Sequence, residues 1–348
     1  MTAGGREEGG AEQAARTPRP RVSVIVPTRN RREMTTELVL ALWEQTLPHD
    51  QYEIIVLDNR STDGTAERMR ELAARSPCAM TFHVMPENRG PARSRNTGAQ
   101  MARADILAFT DSDCMPVANW LELGLPAFDA PDVAIASGSI LYRPGSTITF
   151  FTRATGEVRG QAHPTFSWTN TFYRRSVFLE MGGSDESLCY SQFGNAAVDC
   201  GDTDLAWRIL EAGHRSAFVS DATVYTQLEN LPPQKWLLEL SRMFVVPALI
   251  RRHPQLRAKI LHHRVFLYPW SEPFLLAVLG AVLALAWHPV GLALALPWLH
   301  WTVTAGGGKV SIARLPRIAA RIVLLTTRQA ITVAIMLYGS LRFRALVL

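Results

Sequence analysis

From Arg21 onward, short apolar runs alternate with segments of helical spacing. Val22–Pro27 is rich in β-branched residues and reads as a strand buried on both faces. Glu33–Leu47 carries Leu38, Leu42 and Trp43 on one side and reads as a helix. The same alternation predicts strands at Ile54–Leu57, Thr81–Met85 and Asp105–Thr110, and helices at Thr65–Ala74 and Pro91–Ala102, the latter opened by proline. Strand, helix, strand in repetition implies an α/β fold with a mostly parallel sheet flanked by helices. Ligands of such sheets sit beyond the carboxyl ends of the strands.

Past residue 231 the pattern changes. Trp236–Ile250 reads as an amphipathic helix, and Arg251–Arg264 is basic with three histidines. Phe274–Ala305 then runs for 32 residues without Asp, Glu, Lys or Arg, interrupted by His288-Pro289. A bilayer span needs about 20 apolar residues, so either one kinked span or a tight hairpin fits. A second apolar stretch, Ile322–Leu341, contains Arg328. Basic loops at Arg251–Arg264, Arg314–Arg321 and Arg342–Arg344 favour the cytoplasmic side; if all three lie there, Phe274–Ala305 goes in and comes back, and Ile322–Leu341 lies in the interface or is another re-entrant element. The division expected is a leader over 1–20, a catalytic domain over 21–231 and a membrane-associated helical tail over 232–348. Met1–Pro20 lacks the apolar run of a signal peptide and reads as a flexible leader.

Charge sharpens this division. The chain of 348 residues has a formal net charge of +5. Met1–Ser241 holds 23 basic and 30 acidic residues, while Arg242–Leu348 holds 13 basic residues and one acid, Glu272. A basic average would suggest nucleic acid, but the split points instead to an acidic body on a tail suited to an anionic membrane surface. The four cysteines form no CxxC pair and signal neither a zinc site nor a disulfide framework.

Candidate chemistry lies at the strand ends, where no dinucleotide or P-loop glycine pattern occurs. Asp111-Ser112-Asp113 closes the fourth strand, and two carboxylates at this spacing can hold a divalent ion together with phosphate. Asp58 and Asp63 flank Ser61 after the second strand, where one of Ser61 and Asp63 is expected to cap the following helix and Asp58 to face a ligand. Asn88-Arg89-Gly90-Pro91-Ala92-Arg93-Ser94-Arg95-Asn96 sets arginines at a helix start, suited to phosphate or else a solvated face. Trp168-Thr169-Asn170 interrupts an apolar run and fits an acceptor-side wall. Asp202 and Asp204 open a helix as caps, or Asp202 serves as a general base with Asp204 orienting it.

In order, VSVIVPTRN, VLDNRSTDGT, NRGPARSRNTG, ILAFTDSD, WTNTFYRRSVFLEMGGSDES and GDTDLAWRILEAG resemble the inverting GT-A glycosyltransferases of family 2. The resemblance runs from Arg21 to Thr226. It implies a nucleotide-sugar donor, a UDP-sugar before a dTDP- or GDP-sugar, held with Mn²⁺ or Mg²⁺ at Asp111 and Asp113. It further implies donor contacts from Pro27, Thr28, Asn30, Asp58, Asn59, Asp63, Asn88, Gly90, Arg93, Arg95, Asn96 and Asp111, and a catalytic base at Asp202. Trp168, Asn170 and Asp204 would stand on the acceptor side. The sequence departs from the family in having Asn59 where a second aspartate is common, Gly201 before the base, and Thr226 where a histidine often follows the last strand. The processive QxxRW motif is absent, so transfer of one sugar to a lipid-linked or cell-envelope glycan hydroxyl is expected. A polyprenyl-phosphate sugar synthase and a silent membrane-anchored scaffold are the alternatives.

Overall fold

The computed structural model describes residues 19–153, 156–190, 198–304 and 315–348, with backbone alone at 190, 198, 199 and 315–321. Most of the expected leader and Arg314 of the expected basic loop lie outside the described residues, as do the side chains of 315–321.

Eight strands form the central sheet: β1 Val22–Thr28, β2 Tyr52–Asp58, β3 Ala79–Val84, β4 Ile106–Phe109, β5 Cys114–Pro116, β6 Val133–Tyr142, β7 Thr171–Arg174 and β8 Arg215–Thr226. Their order is β3-β2-β1-β4-β7-β6-β8-β5. The four strands legible from the pattern are mutually parallel, with Val24 opposite Ile54 and Ala108. The other half is mixed: β7 runs antiparallel to β4 and β6, β8 is parallel to β6, and β5 is antiparallel to β8.

Helices α1 Arg32–Trp43 and α2 Thr65–Ala74 cover one face, where Val22, Val24 and Val26 of β1 meet Leu38, Leu42, Met69 and Leu72. Helices α3 Pro91–Met101 and α6 Gly201–Glu211 cover the other, where Ile25, Leu57 and Phe109 meet Ala99, Leu205 and Ile209. Two shorter helices, α4 Trp120–Gly124 and α5 Arg175–Glu180, complete this body. Its mixed half is tightened at Gly138, where a Cβ would lie 1.9 Å from the Ala222 carbonyl oxygen.

The tail begins with α7 Pro233–Leu238, a 3₁₀ stretch at Glu239–Val245 and α8 Val246–Arg252. The single helix expected over Trp236–Ile250 is thus divided. Pro247, in the first turn of α8, has no N–H to donate and excludes the carbonyl four residues earlier. After α9 Arg257–Ile260, the uncharged run folds as a hairpin of α10 Ser271–Ala286, a 3₁₀ arm Pro289–Ala295 and α11 Leu296–Thr304. Its arms touch at glycines, since a Cβ on Gly280 would lie 2.4 Å from the Gly291 carbonyl oxygen. The last helix, α12 Leu315–Phe343, includes Ile322–Phe343, which is long and apolar enough to cross a membrane by length and composition.

The tail packs on the body through Trp207 and Leu188, which meet Phe244, Leu249, Leu256 and Met336. Several tail arginines serve this packing rather than facing outward. Arg251 donates to the Phe343 carbonyl at 3.1 Å and Arg257 to the Leu346 carbonyl at 2.8 Å, while Arg252 pairs with Asp185 at 2.7 Å.

Candidate active site

At the lower end of the sheet the polar groups satisfy one another. Ser23 donates to Glu53 at 2.6 Å, and Arg103 closes on the same carboxylate at 2.8 Å. The carboxyl ends of β1, β2 and β4 differ, because polar loops leave these neighbouring strands side by side.

Asp111 and Asp113 stand where β4 turns into β5. Donor atoms of Asp111, Asp113 and Cys114 all lie within 4.8 Å of one another. The carboxylates suit Mn²⁺ or Mg²⁺, whereas burial pushes the Cys114 thiol well above its ordinary pKa, with Asp111 and Asp113 adding to the rise. A protonated thiol is a poor ligand for either ion, so the donor set that fits is the carboxylate pair. Arginines partner both acids: Arg95 reaches Asp111 at 2.8 Å and Arg31 reaches Asp113 at 2.8 Å. Arg95 is buried and stacks over Trp168, 4.9 Å from the ring centre, and Thr169 donates to the second Asp111 oxygen at 3.0 Å. Arg31 is visible in the sequence as one of several cations leaving β1. Thr169 lies between the two residues singled out there.

The loop after β2 is self-contained. Ser61 donates its N–H and hydroxyl to the buried Asp58 carboxylate, with the N–H at 3.2 Å. Asn30, at φ 51°, accepts from the Thr62 N–H at 2.8 Å and donates its own N–H to Ser61 at 2.8 Å. Asp63 accepts from the Thr65 N–H at 3.1 Å at the start of α2 and from the Arg32 N–H at 3.1 Å. Desolvation alone would raise its carboxyl, but those bonds and one from the Thr65 hydroxyl hold it below the ordinary value. Pro27 is buried within β1 and Thr28 meets Thr35 at 2.7 Å. The Asn59 carboxamide oxygen and the Thr110 hydroxyl are buried here without a hydrogen-bond partner among the described residues.

Around α3, Asn88 accepts from the Gly90 N–H at 3.3 Å and Arg93 lies 3.6 Å from Glu186. Asn96 bonds both ways to the Ser184 backbone at 2.8 Å. Asn170 is likewise enclosed: it accepts from the Trp120 indole at 2.8 Å and donates to the Ser139 and Ala222 carbonyls at 2.8 and 2.7 Å. It holds the mixed half of the sheet together.

Asp202 lies in the first turn of α6 and accepts from the Thr203 N–H at 2.7 Å. The Thr203 hydroxyl reaches the Thr165 carbonyl at 3.1 Å, and Trp207 reaches the Pro164 carbonyl at 2.9 Å. Residues 164–169 thus join the start of α6 directly to Asp111. Asp202 and Arg95 also act oppositely on the buried Tyr173 phenol; burial raises its pKa, Asp202 adds to the rise and Arg95 opposes it. Asp204, two residues on, is fully buried in an ion cluster with Arg208 at 2.8 Å, Arg252 at 3.0 Å and His253 at 3.2 Å. Nothing local in the sequence announces Arg252 or His253 as its partners.

Comparison with known proteins bears on the family and the fold. Residues 23–182 match the family described as Glycosyl transferase family 2. Glycosyltransferase AglE of Haloferax volcanii is 30% identical over 208 residues, covering 58% of this chain and 65% of that protein. The pre-mycofactocin glycosyltransferase of Mycobacterium tuberculosis is 29% identical over 218 residues, covering 58% of this chain and 42% of that one. The chain therefore spans less than two thirds of the length of either relative. Among solved structures, the mannosyltransferase PcManGT from Pyrobaculum calidifontis, in complex with GDP-Man and Mn²⁺, aligns with a TM-score of 0.55 at 24% identity, over 93% of this chain and 88% of that one. S. aureus TarS 1-349 aligns with a TM-score of 0.50 at 18% identity, over 92% and 91%. By fold, order of motifs and sequence, the chain carries a glycosyl transferase family 2 domain at residues 23–182, in a GT-A architecture.

Proposed function

We propose that the protein is a membrane-associated inverting glycosyltransferase that moves one sugar from a nucleotide-sugar donor to a hydroxyl of a lipid-linked or cell-envelope acceptor. The observation that carries this reading is the shared wall: Asp111 is tied through Thr169 and residues 164–169 to the helix start that bears Asp202. Asp111 and Asp113 would hold Mn²⁺ or Mg²⁺, and that ion would supply charge compensation for the departing diphosphate. Arg95 and Arg31, already beside these carboxylates, add positive charge to the same side. Asn59 and Thr110 offer buried, unpartnered polar atoms to the nucleoside portion of a donor, with a UDP-sugar favoured. Asp202 takes the proton of the acceptor hydroxyl as its oxygen attacks the anomeric carbon in line with the leaving diphosphate. PcManGT, solved with GDP-Man and Mn²⁺, supports a nucleotide sugar and a divalent ion by analogy of fold.

The tail supports membrane attachment, since α12 contains an apolar stretch of 22 residues and an apolar hairpin precedes it; the basic loops favour the cytoplasmic side for the catalytic body. A phosphate acceptor, as in a polyprenyl-phosphate sugar synthase, would need little base catalysis. Asp202→Asn separates the two readings. For the hydroxyl acceptor we expect transfer to fall by about 10²-fold or more, with donor binding by calorimetry unchanged. Wild-type turnover in that variant would remove Asp202 as the base. Asp113→Ala is expected to abolish the Mn²⁺-dependent part of donor binding, and titrations identical to wild type would count against the carboxylate site.

A further inference from the structure

The tail inverts the usual distribution of side chains. Leu285, Trp287, Val290, Leu296 and Leu341 are exposed, with Leu285 at 90% and Trp287 at 89%. The buried positions include Ser271 on α10, Thr302 on α11 and Gln329 and Thr332 on α12. A helix packed in water shows the reverse pattern.

Three of these polar residues lie on helices that pack against one another, Ser271 on α10, Thr302 on α11 and Gln329 on α12. Trp298 donates its indole N–H to the Gln329 carboxamide oxygen at 2.7 Å, and Thr302 lies one turn further along α11 on the same face. Phe274, one turn beyond Ser271, packs against Trp298 with ring centres 6.3 Å apart. The Gln329 Nε2, the Thr302 hydroxyl and the Ser271 hydroxyl are buried there, without a hydrogen-bond partner among the described residues. Groups of this kind are expensive to leave unmatched.

Arg328 precedes Gln329 on α12. Arg328 stacks over Trp236 at 4.0 Å and forms no ion pair among the described residues. Its charge acts on the Tyr268 phenol, and Tyr268 stacks on Trp270, which precedes Ser271. Glu272, the acid nearest in sequence, is engaged by His263 at 2.9 Å. An ionisable side chain within an apolar helix marks a functional position more often than a structural one.

We propose that this junction binds the phosphate of a membrane lipid, with Arg328 supplying the charge and Gln329, Thr302 and Ser271 the hydrogen-bond donors. Guanidinium and carboxamide nitrogens only donate, and both hydroxyls can, so the complement is an oxygen-rich anion. The apolar outer surface makes the anion's carrier a lipid. This inference rests on the membrane reading given above.

The test uses the full chain in a neutral detergent, titrated with farnesyl phosphate, phosphatidylglycerol and farnesol while thermal stability is followed. Farnesyl phosphate, phosphatidylglycerol or both should raise the unfolding temperature saturably, and farnesol should not. Stronger binding of farnesyl phosphate assigns the site to a lipid monophosphate; equal or stronger binding of phosphatidylglycerol assigns it to leaflet headgroups. Arg328→Gln and Gln329→Glu should each weaken the binding by about tenfold or more. Gln329→Glu keeps an oxygen for Trp298 and replaces the donor with an anion, so it tests the contact without removing the packing. Equal responses to farnesol and farnesyl phosphate, or wild-type affinity in both variants, would overturn the proposal. Flotation on phosphatidylcholine vesicles checks the underlying reading separately: the wild type and both variants should float alike, and a wild type that does not float defeats the membrane reading itself.

Discussion

Asp204 shows how much a single side chain beside the candidate base depends on distant residues. Burial alone would raise its carboxyl, but hydrogen bonds from His253, Arg208 and Arg252 hold it below the ordinary carboxylate range. Burial would lower the His253 imidazole, but Asp204 and Glu211 raise it above its usual value. The two contribute stability over different pH ranges. The Asp204 contribution is present above its unfolded pKa of about 3.9 and is lost as acid protonates the folded carboxylate below that. The His253 contribution is complete below about pH 6.5 and is lost as pH rises through the elevated folded value. Urea midpoints of the wild type should therefore decline above neutrality, and His253→Gln should remove much of that decline. Asp204→Ala strands a buried imidazole and is expected to cost about 3–5 kcal/mol in the same measurement. A change under about 1 kcal/mol, the range of exposed pairs, would mean the cluster is solvated in solution.

Among the elements, those with local causes were legible in the sequence. Helix α2 falls at Thr65–Ala74 as its pattern predicts, and β1, β2, β3 and β4 fall within two residues of the expected runs. Asp111 and Asp113 follow the buried β4 as the Asp-x-Asp spacing leads us to expect, each beside an arginine. The insertion of β7 between β4 and β6 was not legible, since its partners are set by tertiary pairing across distant segments. Asn96 and Asn170 look like ligand contacts from their neighbours in sequence, but their amides bond to groups that only folding brings near, the Ser184 backbone for Asn96 and the Trp120 indole with the Ser139 and Ala222 carbonyls for Asn170. For the uncharged run, a hairpin was one of two readings, and the contact of Gly280 with Gly291 shows why it forms: two backbones approach where neither carries a side chain. Gly280→Val would force the arms apart. A loss of about 1–3 kcal/mol is expected, read as a lower unfolding temperature in detergent; an unchanged transition would show that the arms do not touch.

For the whole molecule, the net charge of +5 combines two unlike quantities. The acidic body holds the carboxylates of the site, and the basic tail divides its arginines between internal bonds and the outer surface. Arg251, Arg252 and Arg257 are committed to the fold, so electrostatic attraction to lipid should be weaker than the raw count implies. We expect the protein to float on neutral vesicles through its apolar hairpin. Addition of anionic lipid should improve flotation modestly, and about 0.5 M salt should erase that gain because exposed charges are screened within a few ångströms. Flotation that vanished entirely in salt would assign attachment to charge alone. The Asp204 cluster also bears on the order in which the chain is made. Arg252 lies 48 residues after Asp204, and synthesis proceeds from the N-terminus with domains forming as they emerge. The body would leave the ribosome with Asp204 paired to Arg208 alone and still without Arg252 and His253. Its last helix can settle only once the tail has followed, so a newly made molecule would complete its catalytic end and meet the membrane in the same interval.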